Sequence, residues 1–158
     1  SLDPSILQYH QQDRKIRSID GSSDIIVAVN RRVGNMNIET IMIVDDSAMA
    51  RLIMKQCLEI AGYREKKFIE AINGKDALEK LDKEKVDLVV TDLNMPVMEG
   101  NALLENIKAA PALKEIPVII ITSNSNPARE VELKNKGAFA IINKPISPAI
   151  IHKVCSNL

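Results

Sequence analysis

Five polar residues of this sequence stand at or directly after the end of short apolar runs: Asp45, Asp46, Asp92, Thr122 and Lys144. Crowded carboxylates repel one another, and a bound divalent cation relieves that repulsion. Magnesium prefers oxygen ligands and is commonly held by one or two carboxylates together with phosphate oxygens. A lysine ammonium and a threonine hydroxyl can each contact a phosphoryl oxygen. The residue types therefore indicate phosphoryl transfer, with Asp92 as the nucleophile that forms an acyl phosphate.

Each of these residues has an ordinary explanation when it is taken alone. The pair Asp45-Asp46 would be a solvated turn, and Asp92 would be a loop carboxylate or a helix cap. Thr122 would be a plain strand end and Lys144 a surface lysine. Because all five follow apolar runs, their coincidence favours a shared site over separate accidents.

From Ile38 onward, short apolar runs alternate with amphipathic stretches, which is typical of a βαβ fold with a parallel sheet. Continuous apolar runs predict strands that are covered on both faces. The predicted strands are 41–44, 67–71, 88–91, 118–121 and 139–142. Because the carboxyl ends of parallel strands share one edge of the sheet, the polar residues at those ends should meet.

Helices are predicted after each strand. Ser47 is a good N-cap for the first, which would extend to about Ala61 and be closed by Gly62. Later helices are predicted over about 74–83 and 128–136 and from Ser147-Pro148 onward, and one more is predicted to hold Leu103, Leu104 and Ile107. The first helix carries a mostly apolar stripe at helical spacing, formed by Met49, Leu52, Ile53, Gln56, Cys57 and Ile60.

Residues 1–37 do not follow this alternation and are predicted to be an extension of unknown role, ahead of a domain over 38–158. Asp3-Pro4 could begin a short helix. Residues 20–23 could turn between 16–19 and a strand at 25–29, which would form a hairpin. The apolar character of 25–29 favours partly ordered structure, because such a run is costly to leave in water.

Composition argues against several classes of function. The 21 basic and 21 acidic residues give zero net charge, which disfavours nucleic acid or an anionic membrane as a partner. No apolar run is long enough to span a bilayer, and no secretory signal is recognised. The two cysteines and two histidines lack the spacing of a zinc site or a triad. We therefore expect a cytoplasmic protein with reduced thiols.

The segment that follows the third strand carries a specific motif, Thr91-Asp92-Leu93-Asn94-Met95-Pro96-Val97-Met98-Glu99-Gly100. It closely resembles the phosphoacceptor segment of response-regulator receiver domains, most closely the chemotaxis (CheY-like) type. Thr122 and Lys144 follow at the spacing of the family pattern. Residues 43–47 resemble its acidic-pair strand, and residues 143–145 resemble its lysine–proline end. The resemblance covers 38–158.

The resemblance implies a flavodoxin-like (β/α)5 fold, with a doubly wound five-stranded parallel sheet of strand order 2-1-3-4-5. It implies that a sensor histidine kinase or a phosphotransfer protein phosphorylates Asp92. It implies Mg²⁺ or Mn²⁺ at a site formed by Asp45, Asp46, Asp92 and the backbone carbonyl of Asn94. It also implies phosphoryl binding by Thr122, Ser123 and Lys144, and a cis bond before Pro145.

The function that follows is that of a phosphoprotein in two-component, phosphorelay signal transduction, and not that of a metabolic enzyme. Beyond accepting the phosphoryl group and slowly losing it, the domain would act by changing shape. The affected face is expected to be the fourth helix, fifth strand and fifth helix, which would bind a downstream protein. Because the sequence ends at Leu158, just after the last helix, we expect either protein–protein output, with no nucleic acid or membrane bound, or a further part of the protein beyond this sequence.

One position departs from the family pattern. Many members place Tyr or Phe three residues before the lysine, where the ring turns inward on activation, and here that position is Ile141. A β-branched side chain is stiff, so a rotating aromatic is not expected. Movement of Thr122 and of the adjoining loop would carry the change instead.

Two other functions compete with this interpretation. A metal-dependent phosphatase or phosphotransferase with an aspartyl nucleophile usually has a second Asp two residues later, and Asn94 stands there. A scaffold that retains only the fold would have no need for all five site residues.

Overall fold

The computed structural model describes residues 36–158 in full, together with the backbone of residues 13–17 and 24–28. The strands in these parts of the chain are β1 (Asp13–Arg17), β2 (Asp24–Ala28), β3 (Thr40–Val44), β4 (Lys67–Ala71), β5 (Leu88–Asp92), β6 (Val118–Thr122) and β7 (Ala140–Asn143). The α-helices are α1 (Ala48–Leu58), α2 (Gly74–Lys83), α3 (Gly100–Ala109), α4 (Pro127–Asn135) and α5 (Pro148–Cys155). From β3 onward, each strand lies within a residue of its predicted bounds.

Strands β3 to β7 form a parallel sheet in the order β4-β3-β5-β6-β7. Numbered within the α/β part alone, this is the order 2-1-3-4-5, so the predicted doubly wound fold is confirmed. β1 and β2 extend the sheet beyond β7 as an antiparallel pair, with Ile26 of β2 opposite Ile141 of β7.

The two N-terminal strands lie near the predicted hairpin. β2 covers most of the strand expected at 25–29, and β1 starts earlier than the strand expected at 16–19 but overlaps it. The helix expected at Asp3-Pro4 and the turn expected at 20–23 lie outside the described residues. The division of the chain into an extension over 1–37 and a domain over 38–158 stays a prediction.

Helices cover both faces of the parallel sheet, and each face has its own apolar core. α1 and α5 pack on one face, against side chains such as Ile43 and Ile121. α2, α3 and α4 pack on the other face, against side chains such as Met42 and Ile120. Successive residues of a strand point to opposite faces, so neighbours in β3 and β6 enter different cores. Burial on both faces explains why these strands are continuous apolar runs.

Helix α1 carries two apolar stripes at helical spacing. The stripe predicted from the sequence is the exposed one, except that its member Cys57 is buried. The buried stripe is Met54, Cys57 and Leu58. The exposed side chains, which have 45% to 65% of their surface accessible, are Met49, Leu52, Ile53 and Ile60. Periodicity cannot choose between two such stripes, because the choice depends on how the helix packs on the sheet. We refer to Met49, Leu52 and Ile53 as the α1 apolar face.

The helices have clear starting and ending signals. The side chains of Ser47, Asn73, Asn126 and Ser147 each accept a backbone N–H at the start of a helix. α1 continues into a wider π-helical turn, Glu59–Tyr63, where Gly62 adopts a φ of 121° that residues with a side chain rarely adopt. Within the described residues, the helices are too short or too polar to cross a membrane.

Candidate functional site

The carboxyl ends of β3 and β5 bring three carboxylates together. Asp45 and Asp46 directly follow β3, and Asp92 is the last residue of β5, its parallel neighbour. One oxygen from each of the three groups lies within 4.8 Å of the other two. Asp45 and Asp92 are buried, whereas Asp46 is exposed. The three acids singled out in the sequence therefore share one site.

Asp45 is the least satisfied of these acids. Its Oδ1 accepts a hydrogen bond from the Ser47 N–H at 2.9 Å, but its Oδ2 is buried and has no hydrogen-bond partner among the described residues. Burial raises the pKa of the Asp45 carboxyl, and the negative charge of Asp92 raises it further; the Ser47 N–H and the Lys144 ammonium act in the opposite direction. A buried carboxylate oxygen without such a partner, among other carboxylates, fits a ligand of a divalent cation.

Lys144 reaches the site from the residue after β7. Its Nζ lies 3.2 Å from Oδ1 of Asp92, and its backbone N–H donates to the Thr122 carbonyl at 2.9 Å. The Lys144–Pro145 peptide bond is cis, the isomer that the family resemblance implies. The ammonium offsets part of the negative charge of the cluster.

Thr122 closes β6 on the same edge of the sheet. Asp92 aligns with Ile121 in the β5–β6 ladder, so Thr122 lies one residue beyond that pair. Thr122 is fully buried, and its Oγ1 accepts a hydrogen bond from the Asn124 N–H at 3.2 Å. Ser123 follows it and is exposed. The hydroxyl of Thr122 is thereby tied to the first residues of the loop between β6 and α4.

The loop from β5 to α3 is held tightly against Asp92. The Gly100 N–H donates to the Leu93 carbonyl at 2.8 Å, and a Cβ at Gly100 would collide with the backbone carbonyl oxygen of Asp92. Asn94 is exposed in this loop. Val97 adopts a φ of 68°, which is unfavourable for a β-branched residue. The site thus depends on a glycine that the sequence pattern identifies only as the last residue of the motif.

Arg51 is a second residue that the sequence analysis missed. Its Nη1 donates to the backbone carbonyl of Asp45 at 2.8 Å, and its Nε lies 3.0 Å from Glu70 Oε1. Arg51 stands one helical turn after the N-cap Ser47, so it faces back toward the strand end that precedes the helix. That position was the available signal, and it identifies Arg51 as a positioning residue for the acidic pair.

Ile141 lies in β7, aligned with Ile120 of β6 on one side and Ile26 of β2 on the other. It is 1% exposed and belongs to the core on the face covered by α2, α3 and α4. That this chain switches without a rotating aromatic at this position stays a prediction.

Comparison with known proteins gives one consistent result. A family model described as the response regulator receiver domain matches residues 41–156. Chemotaxis protein CheY-3 of Vibrio cholerae is 40% identical over 111 residues, which is 70% of this chain and 84% of that protein. The two-component response regulator ORR7 of Oryza sativa subsp. japonica is 38% identical over 120 residues, 75% of this chain but 55% of the rice protein, so the match spans about half of that relative.

Solved structures give the same fold. The structure of the chemotaxis response regulator CheY4 of Vibrio cholerae superposes with a TM-score of 0.68 at 28% identity, and the match covers 77% of this chain and 100% of that one. The receiver domain of a signal transduction histidine kinase from Syntrophus aciditrophicus superposes with a TM-score of 0.66 at 32% identity, over 75% of this chain and 87% of that one.

Proposed function

Because the chain belongs to the response regulator receiver domain family, we propose that Asp92 accepts a phosphoryl group from a sensor histidine kinase or a histidine phosphotransfer protein. A receiver domain is a phosphorylated signalling domain of two-component systems rather than a catalytic enzyme. The observation that carries the proposal is the buried Asp92 carboxylate at the centre of an acidic cluster, 3.2 Å from the Lys144 ammonium.

The proposed transfer is a displacement at phosphorus. An oxygen of the Asp92 carboxylate attacks the phosphoryl group of a phosphohistidine, the P–N bond breaks, and the imidazole nitrogen leaves with the electron pair. The product is an acyl phosphate on Asp92. The chain itself supplies position and charge, which is most of what phosphoryl transfer requires of a protein.

The acidic cluster is typical of the metal site of a receiver domain, and its residues fit Mg²⁺ or Mn²⁺. Asp45, Asp46 and Asp92 would hold the ion together with the backbone carbonyl of Asn94. The unpartnered Oδ2 of Asp45 supports this assignment, because a hard cation satisfies such an oxygen. Bound there, the ion would neutralise negative charge on the phosphoryl oxygens.

Lys144 and Thr122 are proposed to bind the phosphoryl group once it is on Asp92. Lys144 already contacts the Asp92 carboxylate, so a small movement of its ammonium would bring it to a phosphoryl oxygen. The Thr122 hydroxyl now accepts from the Asn124 N–H, so its movement toward a phosphoryl oxygen would pull on the loop that leads into α4. The exposed and small Ser123 leaves room for the group.

The output surface is proposed to be the face formed by α4, β7 and α5. Both phosphoryl-binding residues border these elements, Thr122 through the loop before α4 and Lys144 through the end of β7. Binding of a downstream protein there would shift the equilibrium between two arrangements of that face. We propose a cytoplasmic setting, which suits the two free and buried cysteines.

The α1 apolar face is proposed to receive the phosphodonor protein. A groove of about 480 Å³ runs beside it, lined by Ala50, Ile53, Met54, Ile121, Lys144, Pro145 and Ile146. Lys144 is shared between this groove and the phosphoacceptor site, so a helix packed on the groove would stand next to Asp92. Exposed apolar side chains at such a position are typical of a protein-binding surface.

If the α1 apolar face binds the phosphodonor protein, a substitution there should slow transfer from a protein donor but not from a small-molecule donor. Leu52→Asp should slow transfer from a phosphohistidine protein about tenfold, since a charge would replace an apolar contact of roughly 1–2 kcal/mol. The rate with acetyl phosphate, which needs no docking surface, should be unchanged. Val131→Asp, an exposed apolar position on α4, is the matched control. Equal slowing with both donors would show that Leu52 acts on folding and not on docking.

The central test is incorporation of phosphate at Asp92. With magnesium and acetyl phosphate, the protein should form an acid-stable, base-labile acyl phosphate that is lost in Asp92→Asn and retained in Asp82→Asn, an exposed acid of α2. Incorporation of phosphate into Asp92→Asn would show that a residue other than Asp92 is the phosphoacceptor. Sustained hydrolysis of phosphomonoesters by the wild type would favour the phosphatase alternative.

A further inference from the structure

A strand from the N-terminal part of the chain covers one edge of the parallel sheet, the outer edge of β7. An edge strand presents unpaired backbone N–H and C=O groups, which can accept another strand. β2 takes this place on β7 in antiparallel orientation, with Ile26 opposite Ile141. β1 then pairs with β2 along the whole of both strands, from Asp13–Ala28 to Arg17–Asp24.

The covered edge belongs to the face proposed above as the output surface. β7 is the strand between α4 and α5 on that face, and β2 lies along its outer backbone edge. A partner that adds an extended segment to β7 cannot do so while β2 is paired there. The chain therefore carries its own occupant for this edge.

The junction between β2 and β7 joins two ladders that are each paired independently of it. β6 and β7 are aligned along the whole of β7, and β1 and β2 along the whole hairpin. Within the described residues, β2 and β7 are aligned at the pair Ile26–Ile141 alone. Opening of the junction between β2 and β7 would leave both of those ladders intact.

β7 is also connected directly to the phosphoacceptor site. Lys144, whose Nζ lies 3.2 Å from Asp92, is the residue after β7, and its N–H is bonded to the Thr122 carbonyl. A displacement of Lys144 would therefore act on the backbone of β7, which is the part of that strand that pairs with β2.

We propose that the edge of β7 is a strand-binding site, that residues 24–28 occupy it in the resting protein, and that phosphorylation of Asp92 favours their release. The released edge would accept an extended segment of the output partner. This inference rests on the proposed function, because it requires a phosphoacceptor site whose state changes β7.

Hydrogen exchange of the full chain with magnesium, with and without beryllofluoride, tests the coupling. Amides of 24–28 and 140–143 should exchange about fivefold or more faster with beryllofluoride, the lower end of typical coupling between sites. Amides of β5, in the middle of the sheet, should not change. Unchanged exchange at 24–28 together with a response at 122–124 would overturn the strand-release proposal alone. No response at 122–124 would instead overturn the proposed function.

A substitution in β2 tests the same coupling from the other side. Ile26→Pro removes a backbone N–H within a strand that is paired on both sides, which a sheet tolerates poorly. The variant should bind beryllofluoride about fivefold more tightly, since coupling is reciprocal. Calorimetry suits the measurement because the chain has no Trp. Lys85→Pro places the same residue in an exposed loop between α2 and β5 and should bind beryllofluoride as the wild type does. Equal affinity in Ile26→Pro and wild type would contradict the proposal.

Concentration distinguishes the chain's own strand from one donated by a second copy. Exchange protection of 140–143 should be independent of protein concentration if β2 of the same chain covers β7. Protection that is lost on dilution would assign the strand to a second copy and overturn the intramolecular arrangement.

Discussion

Replacing Asp45 by Asn should stabilise the protein in the absence of metal. The Asp45 Oδ2 is buried and has no hydrogen-bond partner in the part of the chain that the structure describes. Asp45 also belongs to a cluster in which one carboxylate oxygen of each of the three acids lies within 4.8 Å of the other two. Asn keeps the oxygen that accepts from the Ser47 N–H and replaces Oδ2 by an amide that can donate to a neighbouring carboxylate. The substitution therefore removes one buried charge and one unsatisfied acceptor without removing a hydrogen bond.

The size of the effect follows from these two changes. A buried polar atom without a partner costs about 1–3 kcal/mol. Repulsion between two charges at this separation adds about 3 kcal/mol at an effective dielectric constant near 20. The nearby Lys144 ammonium and the exposure of Asp46 cancel much of that repulsion. We expect a net gain of about 1–3 kcal/mol, or a rise in Tm of about 3–10 °C for a chain of this length.

The assay is urea unfolding at pH 7.5 in EDTA, repeated with 10 mM magnesium. In EDTA, Asp45→Asn should unfold at higher urea than the wild type, and Asp46→Asn, the exposed neighbour, should shift the midpoint less. Magnesium should stabilise the wild type by mass action and should stabilise Asp45→Asn much less. The difference in urea midpoint between the two proteins should therefore become smaller or change sign.

The pH dependence of the same comparison is determined by the raised pKa of Asp45. Because the folded state holds this proton more tightly than the unfolded state, wild-type stability is lost as pH rises from about 4 through the folded-state pKa. The advantage of Asp45→Asn should be present at neutral pH and should disappear near pH 3. An Asp45→Asn protein that is no more stable than wild type in EDTA at pH 7.5 would refute the reasoning.

Three further predictions concern the site and the core. Gly100→Ala should destabilise the protein by about 2 kcal/mol and slow phosphorylation of Asp92, because its Cβ collides with the Asp92 carbonyl; full activity and stability would mean that the loop yields freely. Val97→Asn should raise the free energy of unfolding by about 1 kcal/mol in urea titrations, since Asn tolerates a positive φ better than Val does and Val97 is 78% exposed. A loss of stability would show that the positive φ of Val97 does not destabilise the wild type. Burial raises the pKa of the Cys57 thiol, and burial is also the main reason that the pKa of Cys155 rises to about 12, so both should react with a disulfide reagent only after unfolding; rapid labelling of the native protein would disprove this.

The location of the acidic cluster could be predicted because it depends on a local pattern and one general rule. Apolar runs predict where strands end, and parallel strands place their carboxyl ends on one edge. Asp45, Asp46 and Asp92 follow directly from those two statements and are brought together in the structure. What the pattern does not contain is the partner of each group, such as the donation from Arg51 to the Asp45 carbonyl.

The helix α1 shows where a local pattern stops being informative. Its sequence has apolar residues on two sides, and a period of 3.6 residues fits both. The exposed side became visible only once Met54 and Leu58 were seen to be buried against the sheet. The exposed part of the predicted stripe therefore forms a surface beside the groove near Lys144.

By itself, the sequence determined the alternation of strands and helices, the residues at the strand ends and the chemistry open to them, because these depend on neighbours a few positions apart. The tertiary structure decided which stripe of α1 is buried, why only glycine fits against the Asp92 carbonyl, and that β2 pairs with β7. Each of these depends on contacts between residues that are far apart in the chain and meet only after folding. A local periodic pattern does not specify such contacts.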